Sequence, residues 1–487
     1  MTQGLRDAMK ARPLVARWQL LGRLELLTAA HLGGGEGEGI DKVLLRDAKE
    51  GHPLLPGTTL AGALRGALAD HLEGFGTKEA GNVAELFGGG RGRDEGAQSP
   101  LIVFDAMFKG AKIELRDGVA IDPETGTAED HKKYDYEVLP AGSSCDLRLE
   151  LVVSDPAQEQ TQLKLLCAAL EALEAGQVSL GAKRSRGLGR LKVSWSARRF
   201  DLSDAKGWLE WACSDHEPRL GPVLAPLKKA LADAGEKVSG AVEDKRGVAR
   251  IKLTLEVEHD LLIRSVGETP DGEDVQHLHS GGRPVLPGTS LAGVLRGQAL
   301  RIARLVRDPQ GDAEAWIDRL FGPRIVGVRS PGTEMKASRL RVGEGTLQKG
   351  SMDRKQVRVA IDRFTQGTVD TALFEERPLV GGEVVLPLEL RSPEPGELGL
   401  VVLVLKDLLS GRLAVGGTSS VGRGFLKGSA EVVWRRPGES EVKEVKVTLK
   451  PGEAPSGDRE ALEAEIAAFR RGEALVVKGG RDEREAG

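Results

Sequence analysis

Apolar and polar residues change rhythm along this chain in a fixed order, and the order is run through twice. Residues 14–27 (LVARWQLLGRLELL) form a β-like run. A Gly- and acid-rich loop follows, and then a helix is predicted over 58–72, with Leu60, Leu64 and Leu68 on one face. Pro56 and Gly57 fix the turn into it, and Thr58 can cap its free N–H groups. β-like stretches (LIVFDAMF, DLRLELVVSD), a second helix over 164–175 and a last strand (RLKVSW) complete the set. From residue 249 the same order returns. It runs through ARIKLTLEVEHDLLI, a helix over 289–305 opened by Thr289, the strand VVLPLELRS, a helix over 400–410 and the strand FLKGSAEVVW. The pattern β-α-β-β-α-β, met twice, predicts an α+β protein of two tandem ferredoxin-like (RRM-like) domains with an expanded first loop and insertions between the halves of each. The expected boundaries are 1–200 for the first domain, 201–248 for a helical linker, 249–433 for the second domain and 434–487 for a charged extension with one helix. In the linker, Trp208 and Trp211 read as packing residues. In the extension, Leu462, Ile466 and Phe469 mark the helix.

The two halves also share words. HPLLPGTTLAGALRGAL (52–68) returns as RPVLPGTSLAGVLRGQAL (283–300), VAIDPETGT (119–127) as VAIDRFTQGT (359–368), and LGAKRSRGLGR (180–190) as VGGTSSVGRGF (415–425). The starts of these blocks are offset by 231, 240 and 235 residues. Three blocks in one order at nearly one spacing mark an internal duplication.

Composition narrows the partners. With 69 Lys+Arg against 73 Asp+Glu the net charge is -4, so any nucleic acid must be held by local basic clusters and backbone donors. Aromatic residues make up only 4% of the chain, which argues against a reader built on rows of stacking Phe and Tyr. The 64 glycines allow many close backbone approaches. Three dispersed cysteines give neither a disulfide framework nor a zinc pattern. No leader-like or membrane-spanning apolar run is present, and a cytoplasmic protein without a membrane partner is expected.

At the LPGTTLAGALRGAL block and the Gly-rich SRGLGR block, each recurring in the second half, the sequence resembles the RAMP superfamily. The likeness is closest to the backbone subunits of type III CRISPR RNA-guided complexes, and the tandem arrangement resembles the double fusions of type III-D. The VAID block resembles the root of that family's β-hairpin thumb. The resemblance implies that such a subunit holds a CRISPR guide RNA by its phosphates beside other effector subunits. It implies that thumbs pry the guide–target duplex open, and that a loop Asp cleaves the complementary target RNA with Mg2+ or another divalent metal. A scaffold that binds guide without cutting is the alternative. A guide-processing endoribonuclease ranks third, because such enzymes rely on His and the eight histidines are sparse in the repeated blocks.

Site residues follow from the blocks. Asp41, in GEGIDKVLLRDAKEGHPLLPG fifteen residues before Pro56, matches the catalytic Asp of active members and would also hold the metal. The second loop lacks the Ile-Asp context. There Asp274 is the expected counterpart, ahead of Asp271 and Glu273. Lys183, Arg184, Arg186 and Arg190 fill the first Gly-rich loop and suit phosphates, as Thr418, Ser419, Ser420 and Arg423 would in the second. Thr58, Thr59, Arg65, Thr289, Ser290 and Arg296 open the first helix of each half, where N–H groups favour an anion. Val119 or Ile121, and Ile361 or Phe364, are the apolar thumb residues able to wedge between base pairs.

Overall fold

The computed structural model describes residues 14–472 apart from 38, 77–80, 90–97, 123–124, 215–223, 239–241, 266–273, 308–310, 325–335 and 436–444. Two compact units emerge. The first gathers residues up to Glu114, together with Glu137–Ala182 and Gly189–Arg246. The second gathers Leu115–Tyr136, Lys183–Leu188 and the chain from Gly247 on.

In the first unit, β1 (Ala16–Leu26) turns Ala16, Trp18, Leu20, Leu24 and Leu26 inward. A hairpin of β2 (Gly33–Gly37) and β3 (Ile40–Leu44) fills the loop before α1 (Gly57–Glu73). After α2 (Gly81–Phe87) and β4 (Leu101–Val103) comes a projecting hairpin, β5 (Glu114–Ile121) and β6 (Ala128–Val138), nearly all of which groups with the second unit. Then follow β7 (Ser144–Val153), α3 (Pro156–Glu174) and β8 (Leu191–Asp201). The sheet order is β8-β1-β7-β4, all antiparallel, which is the ferredoxin-like order. Leu60, Leu64 and Leu68 of α1 are buried on it, each such side chain worth about 1.5–3 kcal/mol of transfer free energy. Helix α3 starts earlier than its apolar rhythm suggests. Asp155 caps it by accepting from Ala157 N–H at 3.0 Å, and Pro156 occupies the first turn.

The stretch expected to be a linker differs. α4 (Ala205–Ala212) and α5 (Leu227–Asp233) belong to the first unit, Leu227 and Leu231 being buried in its core and Trp195 exchanging backbone hydrogen bonds with Ala225.

The second unit repeats the plan with β9 (Val248–Val257), β10 (Val275–His277), α6 (Gly288–Arg307), α7 (Ala313–Phe321), β11 (Leu340–Val342) and β12 (Gly345–Gln348). A second projecting hairpin follows, β13 (Gln356–Ile361) with β14 (Thr368–Arg377). β15 (Glu383–Arg391), α8 (Glu397–Leu409) and β16 (Phe425–Arg435) close the domain. β9 lies between β15 and β16, and β11 lies on the far side of β15. The tail contributes more than a helix: β17 (Val445–Leu449) extends the sheet beyond β16, and α9 (Arg459–Arg471) packs Phe469 edge-on against Trp316 at 5.0 Å. No helix among the described residues is long and apolar enough to cross a membrane.

The VAID block lies elsewhere than expected. It forms the distal turn of each hairpin and not its root. Asp122 N–H donates to Thr127 O and its carboxylate accepts from Thr125 N–H. Asp362 repeats this, donating to Gly367 O and accepting from Phe364 and Thr365 N–H. A short acceptor that folds back on its own backbone is what a tight tip needs.

Candidate nucleic-acid interface

The two Gly-rich loops have the same backbone. Lys183 and Thr418 are left-handed (φ 55° and 57°), a single 3-10 turn follows (Arg184–Arg186, Ser419–Val421), and Gly187 and Gly422 close it (φ 89° and 88°). Each loop is sewn to the sheet by equivalent bonds. Gly189 N–H donates to Ala29 O at 2.7 Å, and Gly424 N–H to Asp260 O at 2.7 Å. Left-handed non-glycine residues are costly, so the surrounding structure must hold this conformation. The turn presents Arg184 in the first loop and Ser419 and Ser420 in the second to solvent.

Four of the expected RNA-facing cations are engaged otherwise. The Lys183 ammonium sits 3.5 Å from the Tyr136 ring centre and 4.6 Å from that of Tyr134, at the base of the first hairpin. Arg423 is buried at 3% exposure and bonded to Glu376, Gln356 and Thr418. Arg296 donates to Gly322 O (2.7 Å) and Asp318 (3.1 Å), tying the end of α7 to α6. Arg65 mirrors it in the first unit, its guanidinium 3.5 Å from Phe87 O at the end of α2. Helix C-termini attract cations, and both arginines serve that end of a helix. The Arg190 guanidinium lies beside Gly176, just past the end of α3.

Arg186 is different. Its Nη1 is buried without a hydrogen-bond partner among the described residues. Burial, and then the charge of Arg296, pull its pKa below the ordinary arginine value. Its carbonyl oxygen meets the first turn of α6, where a Cβ on Gly288 would stand 2.4 Å from it. A half-buried guanidinium whose Nη1 lacks a partner among the described residues, and which feels the charge of Arg296, is an anion site in electrostatic terms.

The helix openings differ from expectation in one respect. Pro56 is the N-cap of α1 and no side chain caps it there. Asp105 does the work from β4's far end, accepting from Gly57 N–H at 2.6 Å. Thr58 and Thr59 are thereby left exposed in the first turn, while Thr289 and Ser290 are half-buried in the first turn of α6.

Asp41 lies on β3, next to the tip of the β2–β3 hairpin, and is exposed. The base of that hairpin is clamped by Glu137, which accepts from Leu44 N–H (2.9 Å) and Arg46 (2.9 Å) while its carbonyl meets His31 Nδ1 (2.7 Å). Asp274 is placed differently. It precedes β10, and its carboxylate accepts from Glu375 N–H on β14 at 2.9 Å. Asp271 and Glu273 lie outside the described residues. Among the described residues no three His, Cys, Asp or Glu side chains converge as a metal cage.

The hairpin tips are apolar and exposed: Val119 44%, Ile121 57%, Ile361 65% and Phe364 80%. On β13, Val357 and Val359 join Ile361 in an exposed row, with Leu373 opposite Val359. Sequence reasoning missed Glu137, Asp105, Glu344 and Glu376, since single acids inside β-like runs carry no periodic signal.

His277 is fully buried. Its Nε2–H donates to Val285 O (3.0 Å), and its Nδ1 accepts from Ile263 N–H (3.3 Å), which fixes a neutral tautomer. Burial, then the neighbouring His279, depress its pKa to about 4. The unfolded chain therefore takes up this proton near pH 6.5 and the folded chain only near 4. Stability is complete above pH 6.5 and falls through that window by about 3 kcal/mol at most. Urea titrations of wild type and His277→Asn between pH 7 and 4 check this. The wild type should lose its midpoint more steeply, and equal slopes would contradict it.

Comparison with known proteins agrees with this layout. The model of the RAMP superfamily matches residues 23–192 and 254–427, one stretch in each half. The protein named CRISPR system Cms endoribonuclease Csm3, from Enterococcus italicus, is 26% identical to this chain over 202 residues, covering 37% of this chain and 90% of its own length.

Proposed function

Because the chain belongs to the RAMP superfamily, with one such domain in each half, we propose that it is a backbone subunit of a type III CRISPR complex that holds guide RNA along its Gly-rich loops and cuts complementary RNA at Asp41. The observation that carries guide binding is Arg186, a half-buried cation whose Nη1 has no hydrogen-bond partner among the described residues and whose backbone carbonyl abuts the start of α6. A backbone phosphate fits it, and phosphate contacts fix position without reading sequence, as a carrier of arbitrary guides requires. Exposed Thr58, Thr59, Arg184, Ser419 and Ser420 supply further donors along the same kind of surface.

The exposed apolar tips suit insertion into a base stack. A nucleotide turned out there has a 2′-OH that can attack its own 3′-phosphorus. The P–O5′ bond breaks, the 2′-OH proton leaves to a base, and O5′ collects a proton. Asp41, on a clamped hairpin, can take that proton or hold a divalent cation, which when bound would neutralise charge on the phosphate.

Arg186→Ala tests guide binding. Affinity for guide RNA should fall about tenfold, and the slope of log affinity against log salt should shrink by about 0.7, the share of one single-strand phosphate. An unchanged slope would mean that Arg186 holds no phosphate.

A further inference from the structure

The two hairpins share a plan but are fastened by different chemistry. In the second, Arg423 bolts the hairpin to its own Gly-rich loop. Its Nη1 donates to Glu376 on β14 at 2.7 Å and to Thr418 Oγ1 at 3.2 Å, and its Nη2 donates to Gln356 on β13. Arg358 adds a second contact to Glu376 at 3.2 Å. Aligning the VAID blocks puts Arg116 at the place of Gln356 and Tyr136 at that of Glu376. Aligning the Gly-rich loops puts Leu188 at the place of Arg423. The Arg423 ion pair is therefore missing from the first hairpin, where Lys183 of the Gly-rich loop rests instead on the Tyr136 and Tyr134 rings.

What replaces it lies far along the chain. The Arg116 side chain, 3% exposed, forms a two-pronged bond to Glu344, 1% exposed, at 2.6 and 3.2 Å. Glu344 stands on the turn between β11 and β12, in the second repeat, and Gly187 packs against the same turn, where a Cβ would meet Glu344 N at 2.2 Å. A planar fork on a carboxylate fixes orientation as well as distance. A buried pair of this kind adds little net stability over apolar residues, but breaking it strands a charge. Its value is specificity of placement.

We propose that Arg116 and Glu344 are the positioning pair of the first thumb: the first hairpin takes its orientation from the second repeat, while the second hairpin is oriented within its own. The inference rests on reading the hairpins as thumbs that part a guide–target duplex. Its consequence is that the spacing between the nucleotides displaced by the two thumbs is set inside one chain by ion pairs to the second repeat, the buried Arg116–Glu344 pair at the hairpin's base and the more exposed pairs of Arg324 with Glu129 and Asp122 nearer its tip.

Hydrogen exchange on the full chain without RNA tests the pair independently of that reading. Glu344→Gln and Arg116→Gln should each lower amide protection in residues 114–138 by about tenfold or more, with 356–377 unchanged as the internal sign of an intact fold. Arg423→Gln should do the reverse. Wild-type protection of 114–138 in both variants, or equal loosening of both hairpins, overturns the proposal. In the guide-loaded complex, Glu344→Gln should shift or blur the cut nearest the first thumb and leave the next in place. A complex that cuts nowhere, even with the wild-type chain, would count against the proposed function, while the exchange result still decides the pair.

Discussion

Replacing Asp41 with asparagine is expected to remove one cut from complementary RNA in the guide-loaded complex, slowing that cut by about a hundredfold or more. Asparagine has the shape of aspartate but neither its charge nor its basicity. The hairpin that carries residue 41 is held from below by Glu137 through Leu44 N–H and Arg46. Geometry and guide binding should therefore survive, and only the chemistry should go. The measurement is a map of cut positions on end-labelled target RNA in the presence of Mg2+, with guide affinity measured alongside. Persistence of every cut at the wild-type rate would make the chain a guide-binding scaffold. Asp274→Asn is the companion variant. The asparagine carbonyl can still accept from Glu375 N–H, so the hairpin contact made by Asp274 should remain and the cut assigned to Asp41 should be unaffected.

The fold was legible because its signals are periodic. Alternation in β1 and the Leu60, Leu64, Leu68 spacing of α1 are properties of one segment each, and the duplication states them twice. The start of α3 was hidden, because its first turns carry Gln158, Glu159, Gln160 and Gln162 and an apolar rhythm begins only at Leu163. The extra strand β17 and the packing of α5 were missed for a related reason. Five- and seven-residue elements offer too few positions to show a period, and what fixes them is the core they meet.

The site was legible in its backbone and less so in its side chains. Glycine positions survive translation from sequence to structure because φ is a local property, and the two loops superpose in kind residue by residue. A cation in such a loop is another matter. Sequence places Lys183, Arg186 and Arg423 together as phosphate ligands, but their partners come from far along the chain or from another loop position. One rests on tyrosines of a hairpin and one is bonded to Glu376 and Gln356, which leaves Arg186 as the one of the three with a buried nitrogen that lacks a partner among the described residues. Nothing within ten residues of Arg116 announces Glu344, 228 positions away.

The glycines themselves give the last prediction, and a contrast between two positions of the Gly-rich loops makes it sharp. Gly189 has φ 75°, and a Cβ there would stand 1.9 Å from the carbonyl oxygen of Leu180. The obstacle is backbone, so no rotamer change relieves it and the strand-side of the loop must move. Moving it gives up the bonds of Leu180 N–H to Gly189 O (2.9 Å) and of Gly189 N–H to Ala29 O (2.7 Å). With about 1–2 kcal/mol for the left-handed backbone and about 1 kcal/mol for each bond, Gly189→Ala should cost the first unit about 3–4 kcal/mol. Gly422 shares the positive φ, at 88°, but a Cβ there meets nothing within 4 Å. Gly422→Ala should therefore cost only the backbone term, about 1–2 kcal/mol. Denaturant titrations of both variants, followed by guide-RNA binding under native conditions, separate the two effects. Gly189→Ala should lose stability and guide affinity together, because the turn bearing Arg184 and Arg186 hangs from that residue. If the two variants were equally destabilised, close approach to Leu180 would not be what the glycine is for, and the loop's requirement would be conformational alone.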